Sequence, residues 1–130
     1  MTRTLAAVAL AAHGLIHLIG FVVPWRISQL EDFPYRTTAL GGSLALGETG
    51  ARVVGVLWLV LAAGFVVAAL GVRRHDARAV PLTAVLAFAS IVVCTLGLPE
   101  TIAGFVVNVV ILGVVAGVVL LQPAMERTPR

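Results

Sequence analysis

His13 and His17 are the residues of this chain best equipped for chemistry, and their setting is unusual: Ala11-Ala12-His13-Gly14-Leu15-Ile16-His17-Leu18-Ile19-Gly20-Phe21 is apolar apart from them. On a helix, spacing i,i+4 puts both imidazoles on one face, about one turn or ~6 Å apart along the axis. A run this long and apolar is built to lie in lipid, so the histidine face must meet protein or water. Desolvation keeps both rings neutral unless a carboxylate or a water chain reaches them. An ionisable side chain inside a membrane segment reads as a functional site, which weighs most for His17; the deeper His13 also has the plainer role of satisfying a partner helix. Histidines at this spacing share zinc in metalloprotease helices, but Gly14 replaces the glutamate of His-Glu-x-x-His, and only Cys94 from a neighbouring helix offers a third ligand. A bis-histidine haem needs ligands from opposing helices, whereas His13 and His17 share one and His75 lies at the far end. Zinc and haem are therefore both disfavoured. No nucleophile elbow, phosphate loop or paired carboxylates support hydrolysis or phosphoryl transfer.

The elements that must position this face are transmembrane helices. The 130 residues are 60% hydrophobic and 12% charged, with a mean hydropathy of +1.07, which leaves too little polar surface to cover a water-soluble core. We expect one domain, all-α and polytopic, a bundle of four transmembrane helices with one long extracytoplasmic loop. The net charge of +3 comes from nine basic side chains, all of them arginines, dispersed and without an aromatic stripe, so nucleic acid is not an expected partner. The lone Cys94 excludes an internal disulfide.

The first span is Leu5 to Val23, ended by Pro24. A cleaved signal peptide is the rival reading, from Met1-Thr2-Arg3 and the cleavage-like Ala9-Leu10-Ala11, but the apolar run before that site is too short. The loop from Pro24 to Gly50 mixes Trp25, Arg26, Tyr35 and Arg36 as interfacial segments do. Its Leu40-Gly41-Gly42-Ser43-Leu44-Ala45-Leu46-Gly47 stretch reads as a hairpin, and a loop of this length reads as a folded lid. The second span covers Ala51 to Val72, with Glu48 and Arg52 as an exposed pair at its entrance and Arg73-Arg74 at its exit, both suited to the helix dipole. His75 lies in a solvated turn. The third span is Ala79 to Gly97, and the fourth, after Leu98-Pro99-Glu100, is Thr101 to Leu121, stopping at Gln122-Pro123. Arg3, Arg73, Arg74, Arg78, Arg127 and Arg130 fall on one side and Arg26, Arg36 and Arg52 on the other, which puts both termini in the cytoplasm of a bacterial inner membrane.

Depth then links residues remote in sequence. His17 lies roughly 9 Å inside the outer end of its span, and Trp58, Ser90 and Asn108 each lie roughly 10 Å inside theirs. Thr101, Gly104 and Asn108 share one face, as do Ser90 and Cys94. This coincidence predicts a polar-lined pocket in the outer half of the bundle, roofed by the loop. The plain alternatives are that Ser90 and Asn108 are interhelical hydrogen-bonding glue, that Trp58 packs, and that Cys94 is a small buried hydrophobe. Gly113-Val114-Val115-Ala116-Gly117 has the small-xxx-small pattern of helix contacts.

Ala12-His13-Gly14-Leu15-Ile16-His17-Leu18-Ile19-Gly20-Phe21 resembles the first-helix signature of the DoxX-like family of small four-helix membrane proteins. In that signature a His-Gly pair precedes a lysine and then Gly-Phe, and His17 stands where the lysine would be. Val54-Gly55-Val56-Leu57-Trp58-Leu59, with Gly64 and Leu70-Gly71-Val72-Arg73, is similar to that family's second helix, with Trp58 in place of a glutamate. The resemblance covers the first two spans and implies association with membrane redox systems. The resulting expectation is a site of His13, His17, Trp58, Ser90 and Asn108 that binds a quinone- or lipid-like molecule. His17 would donate to a carbonyl-type oxygen. The alternatives are an accessory subunit or homo-oligomer contacting its partner through Gly113 and Gly117, and a small transporter or membrane enzyme using His13 and His17 as a proton relay.

Overall fold

A computed structural model describes residues 1–126, with side chains through Leu121. The chain is all-α apart from a small hairpin. Its elements are α1 (Thr2–Ile16), α2 (Leu18–Val22), β1 (Thr38–Ala39), β2 (Leu44–Ala45), α3 (Gly47–Arg74), α4 (Ala79–Leu96) and α5 (Ile102–Glu126). Among the described residues four helical spans are long and apolar enough to cross a membrane, α1 and α2 together making the first. Large apolar side chains such as Leu5, Ile16, Val60, Val85, Phe88 and Leu120 are exposed on the outside of the bundle, which suits lipid and not water.

The first span is not one uninterrupted helix to Val23, as expected from its sequence; it breaks at His17. The cause is local. The His17 Nδ1 donates to the backbone carbonyl of His13 at 2.8 Å, the acceptor that the His17 backbone N–H would use in a regular α-helix. That N–H shifts to Gly14 O at 3.1 Å, and Gly20 N–H takes His17 O at 3.1 Å, so the chain tightens to i→i−3 bonding for one turn.

Helix α3 is the hub, packing on α1, α2 and α4. Its buried Ala51, Gly55, Trp58, Ala62, Phe65 and Ala69 alternate spacings of four and three, the stripe of a helix packed nearly parallel to its neighbours. It starts at Gly47, earlier than the expected Ala51, because the hairpin delivers the chain directly into it. Leu46 and Gly47 both donate to Thr37 O, at 2.8 and 3.0 Å, and Glu48 occupies the first turn, where the dipole favours an acid. Its other end closes on His75 in the left-handed region, φ 61°, with Asp76 N–H on Gly71 O at 3.0 Å, a Schellman-type stop.

Helix α4 is capped from beyond its end by Thr101, whose hydroxyl donates to Cys94 O at 2.5 Å. Helix α5 is the outermost element, with 6% of its span buried. It runs through Pro123 to Glu126 and does not stop at Gln122-Pro123; a proline removes one N–H bond, and one bond lost in the last turn does not end a helix of 25 residues. The Pro24–Gly50 loop holds the hairpin that its glycines indicated. Thr38 pairs with Ala45 and Ala39 with Leu44, antiparallel, around a turn in which Gly41 and Gly42 have φ 63° and 96°.

Two glycines in the first span set its distance from α3. A Cβ on Gly14 would lie 2.8 Å from Phe65 Cβ and 3.0 Å from Ala62 O, and one on Gly20 would fall inside the Trp58 indole. By contrast, a Cβ on Gly113 meets nothing within 4 Å. We therefore expect Gly20→Ala to cost about 1–3 kcal/mol by overpacking, and Gly113→Ala to be neutral or stabilising by up to about 1 kcal/mol through helix propensity. Thermal unfolding of the detergent-solubilised protein, comparing the two midpoints, checks this.

Candidate functional site

The bundle brings His13, His17, Ser90 and Asn108 into one buried hydrogen-bonded cluster. Ser90 and Asn108 are 0% exposed, His17 3% and His13 7%. His13 Nε2 lies 3.1 Å from Asn108 Oδ1 and His17 Nε2 lies 2.7 Å from Ser90 Oγ. The Asn108 amide nitrogen donates to Ser90 Oγ at 2.8 Å and to Gly104 O at 2.8 Å.

The direction of every bond follows from the two backbone carbonyls, which can only accept. His17 donates from Nδ1 to His13 O, so the Nε2 of the neutral ring is an acceptor and receives the Ser90 hydroxyl proton. Asn108 gives its NH₂ to Gly104 O and Ser90 Oγ, so its Oδ1 receives His13 Nε2–H. The Cys94 thiol, 3.9 Å from Ser90 Oγ, is left as a weak donor to that oxygen. Neutral imidazoles of opposite tautomer, Nε2–H on His13 and Nδ1–H on His17, therefore close the network. It ends on the backbone carbonyls of His13 and Gly104.

Aromatic rings seal the cluster. Phe65, fully buried, meets His13 edge-on at 4.8 Å between centroids and His17 at 5.2 Å, and Trp58 stands 5.1 Å from His17. The small residues Gly14 and Gly20, three positions either side of His17, admit Phe65 and Trp58. Their spacing around the histidine was the sequence signal for this packing.

The cavity of this region is elsewhere than expected. A space of about 80 Å³ lies between the loop and the helix ends, walled by Trp58, Val54, Ala39 and Leu46, with Arg36 and Glu100 among its lining residues. Trp58 belongs to it, but His13, His17, Ser90 and Asn108 do not line it. The His17 N–H is taken by the His13 carbonyl, so His17 has no free N–H for a ligand carbonyl. The Trp58 indole N–H, in contrast, finds no acceptor among the described residues.

The loop over this cavity is tied down at several points. Gly41 N–H donates to Leu98 O at 3.1 Å, and Arg36 pairs with Glu100 at 2.5 Å, joining the loop to the α4–α5 turn. Trp25 Nε1 donates to Arg52 O at 3.2 Å, and Arg26 pairs with Glu48 at 2.6 Å while its guanidinium stacks 4.7 Å over Tyr35. Glu48 thus pairs with Arg26 from the loop, not with Arg52 as the spacing implied. Among the described residues no three His, Cys, Asp or Glu side chains converge as metal ligands.

Fold and surface together are those of a four-helix membrane protein. No family model, curated protein or solved structure matches the chain.

Two predictions come from this geometry. Asn108→Leu strands the His13 N–H and removes a donor from Ser90, and should cost about 1–3 kcal/mol per group left unpaired; a His13/Asn108 double-mutant cycle in chemical unfolding should show coupling of about 0.5 kcal/mol or more. Glu100, whose side chain is 17% exposed, should hold the loop better than Glu48, at 60%. Glu100→Ala should therefore accelerate proteolysis within the loop several-fold and Glu48→Ala hardly at all.

Proposed function

We propose that this protein binds a small amphipathic molecule of quinone or lipid type in the cavity beneath the loop. The carrying observation is the Trp58 indole, which walls that cavity and has no acceptor among the described residues for its N–H. An indole N–H ordinarily finds a partner, and a ligand carbonyl is a partner that fits. At about 80 Å³ the space is about half of a dry cavity that admits benzene, ~150 Å³. It therefore takes the edge of a ring or the end of a chain, while the rest of the ligand extends toward lipid. Arg36 and Glu100, paired with each other, present a polar but nearly neutral border. The histidine cluster serves this site indirectly, by fixing the first span, whose His17 ring packs against Trp58 of α3.

The resemblance to DoxX-like proteins supports placing this binding in a membrane redox system of the bacterial inner membrane. The arginines support an orientation with both termini cytoplasmic: Arg3, Arg73, Arg74 and Arg78 lie at one end and Arg26, Arg36 and Arg52 at the loop end, while Arg127 and Arg130 are outside the described residues. A second reading, an accessory subunit, is favoured by α5. Its Gly113 and Gly117 face nothing within 4 Å in this chain, leaving a close-packing surface for another helix.

The test is mass spectrometry of protein purified gently from its native membrane, followed by titration with quinones and lipids. We expect a retained stoichiometric molecule, whose binding Ala39→Leu abolishes by filling the cavity. Trp58→Phe should weaken binding about 3–10-fold by removing one hydrogen bond. If nothing small is retained, and no quinone or lipid distinguishes the parent from Ala39→Leu, the binding reading is lost; a co-purifying protein in its place moves the weight to the accessory subunit.

A further inference from the structure

The opposite end of the molecule carries a second, unrelated feature. Helices α1 and α3, in close contact where Gly14 meets Phe65 and Ala62, leave between them a cleft of about 150 Å³ toward the ends that bear Arg3 and Arg73. On α1 its lining is Thr4, Ala7, Val8 and Ala11, and on α3 it is Val66, Ala69, Leu70 and Arg73. Both sets follow i, i+3, i+4, i+7, so each is one face of its helix. The floor is short side chains, with Ala7 7% and Ala69 4% exposed, between the exposed walls Val8 and Leu70. The groove is therefore apolar apart from Thr4, flanked by exposed apolar side chains, and ends at a guanidinium.

Charge at that end is one-sided. Arg3, Arg73, Arg74 and Arg78 gather there with Asp76 as the one carboxylate among the residues whose side chains are described, and Asp76 is engaged by the Arg78 backbone N–H at 2.9 Å. Arg3 donates to the His75 ring. The ion pairs among the described residues, Arg26–Glu48 and Arg36–Glu100, both belong to the loop end. A largely apolar cleft bordered by arginine matches a molecule with an acyl chain and an anionic head.

We propose that the α1–α3 cleft is a binding site for an anionic phospholipid, its acyl chain lying on Ala7, Ala11 and Ala69 and its phosphodiester at Arg73 with Arg3 alongside. Juxtamembrane arginines attract anionic headgroups in general; the groove is what makes this a site and not a diffuse attraction. The occupant is a membrane lipid and not a free phosphate, because most of the lining is apolar.

The experiment is native mass spectrometry of the full chain released from micelles containing phosphatidylglycerol and phosphatidylcholine of identical acyl chains, with inorganic phosphate added in a separate arm. We expect preferential retention of one phosphatidylglycerol, reduced about fivefold in Arg73→Gln, as for the loss of one membrane-surface charge, and reduced likewise in Ala11→Leu, which fills the groove without altering charge. Arg73→Gln changes an exposed side chain at a helix end, so loss of fold does not confound it. Equal retention of both lipids, retention unaffected by both substitutions, or displacement of the lipid by inorganic phosphate would overturn the proposal.

Discussion

The bond from the His17 imidazole to the His13 carbonyl is the interaction on which the outer half of this bundle depends. It takes the backbone acceptor that a regular helix would use, breaks the first span, and turns the far side of the ring toward Ser90. Ser90 then has a fixed hydroxyl direction, Asn108 a fixed amide orientation, and His13 a fixed tautomer. Three spans are joined by a chain of hydrogen bonds from His13 through Asn108 and Ser90 to His17. Such bonds are individually modest in membranes, averaging about 0.6 kcal/mol. Their larger effect is on register. Helices α4 and α5 are apolar nearly all round, so greasy packing alone would tolerate many rotations, whereas one rotation of each brings Ser90 and Asn108 to the histidines.

This network works only because the helices can approach. Gly14 and Gly20 have no Cβ where Phe65 and the Trp58 indole lie, and the stripe of alanines on α3 keeps that helix slim along its contact with α1. Trp58 is the shared element: one face of its surroundings is the sealed histidine cluster, and the other is the cavity beneath the loop. The cluster and the cavity are coupled there by packing, since any change that tilts the first span moves the indole that walls the cavity.

The two ends of the molecule divide the charged groups differently. At the loop end Arg26 and Arg36 are matched by Glu48 and Glu100 and fasten chain to chain. At the other end Arg3, Arg73, Arg74 and Arg78 outnumber Asp76 among the residues whose side chains are described, and the neighbouring helix faces part to leave an apolar groove. Paired charges close a structure, and unpaired charges beside an apolar groove offer a surface to lipid.

The membrane class, the four spans and the lid-like loop were legible in the sequence, because a bilayer demands about twenty apolar residues per crossing and glycine pairs mark turns, requirements that are local along the chain. The i,i+4 histidines and the common depth of His17, Ser90 and Asn108 were legible too, since helical rise converts sequence position into height. What height cannot give is direction around each helix axis and the partner that each polar atom finds. Only the tertiary structure decided that His13, His17, Ser90 and Asn108 satisfy one another and that the cavity is lined by Trp58, Ala39 and the loop. The same holds for Glu48, which pairs with distant Arg26 and not with its helical neighbour Arg52. Hydrogen-bond satisfaction is a property of the assembled set of groups, and no single segment contains that set.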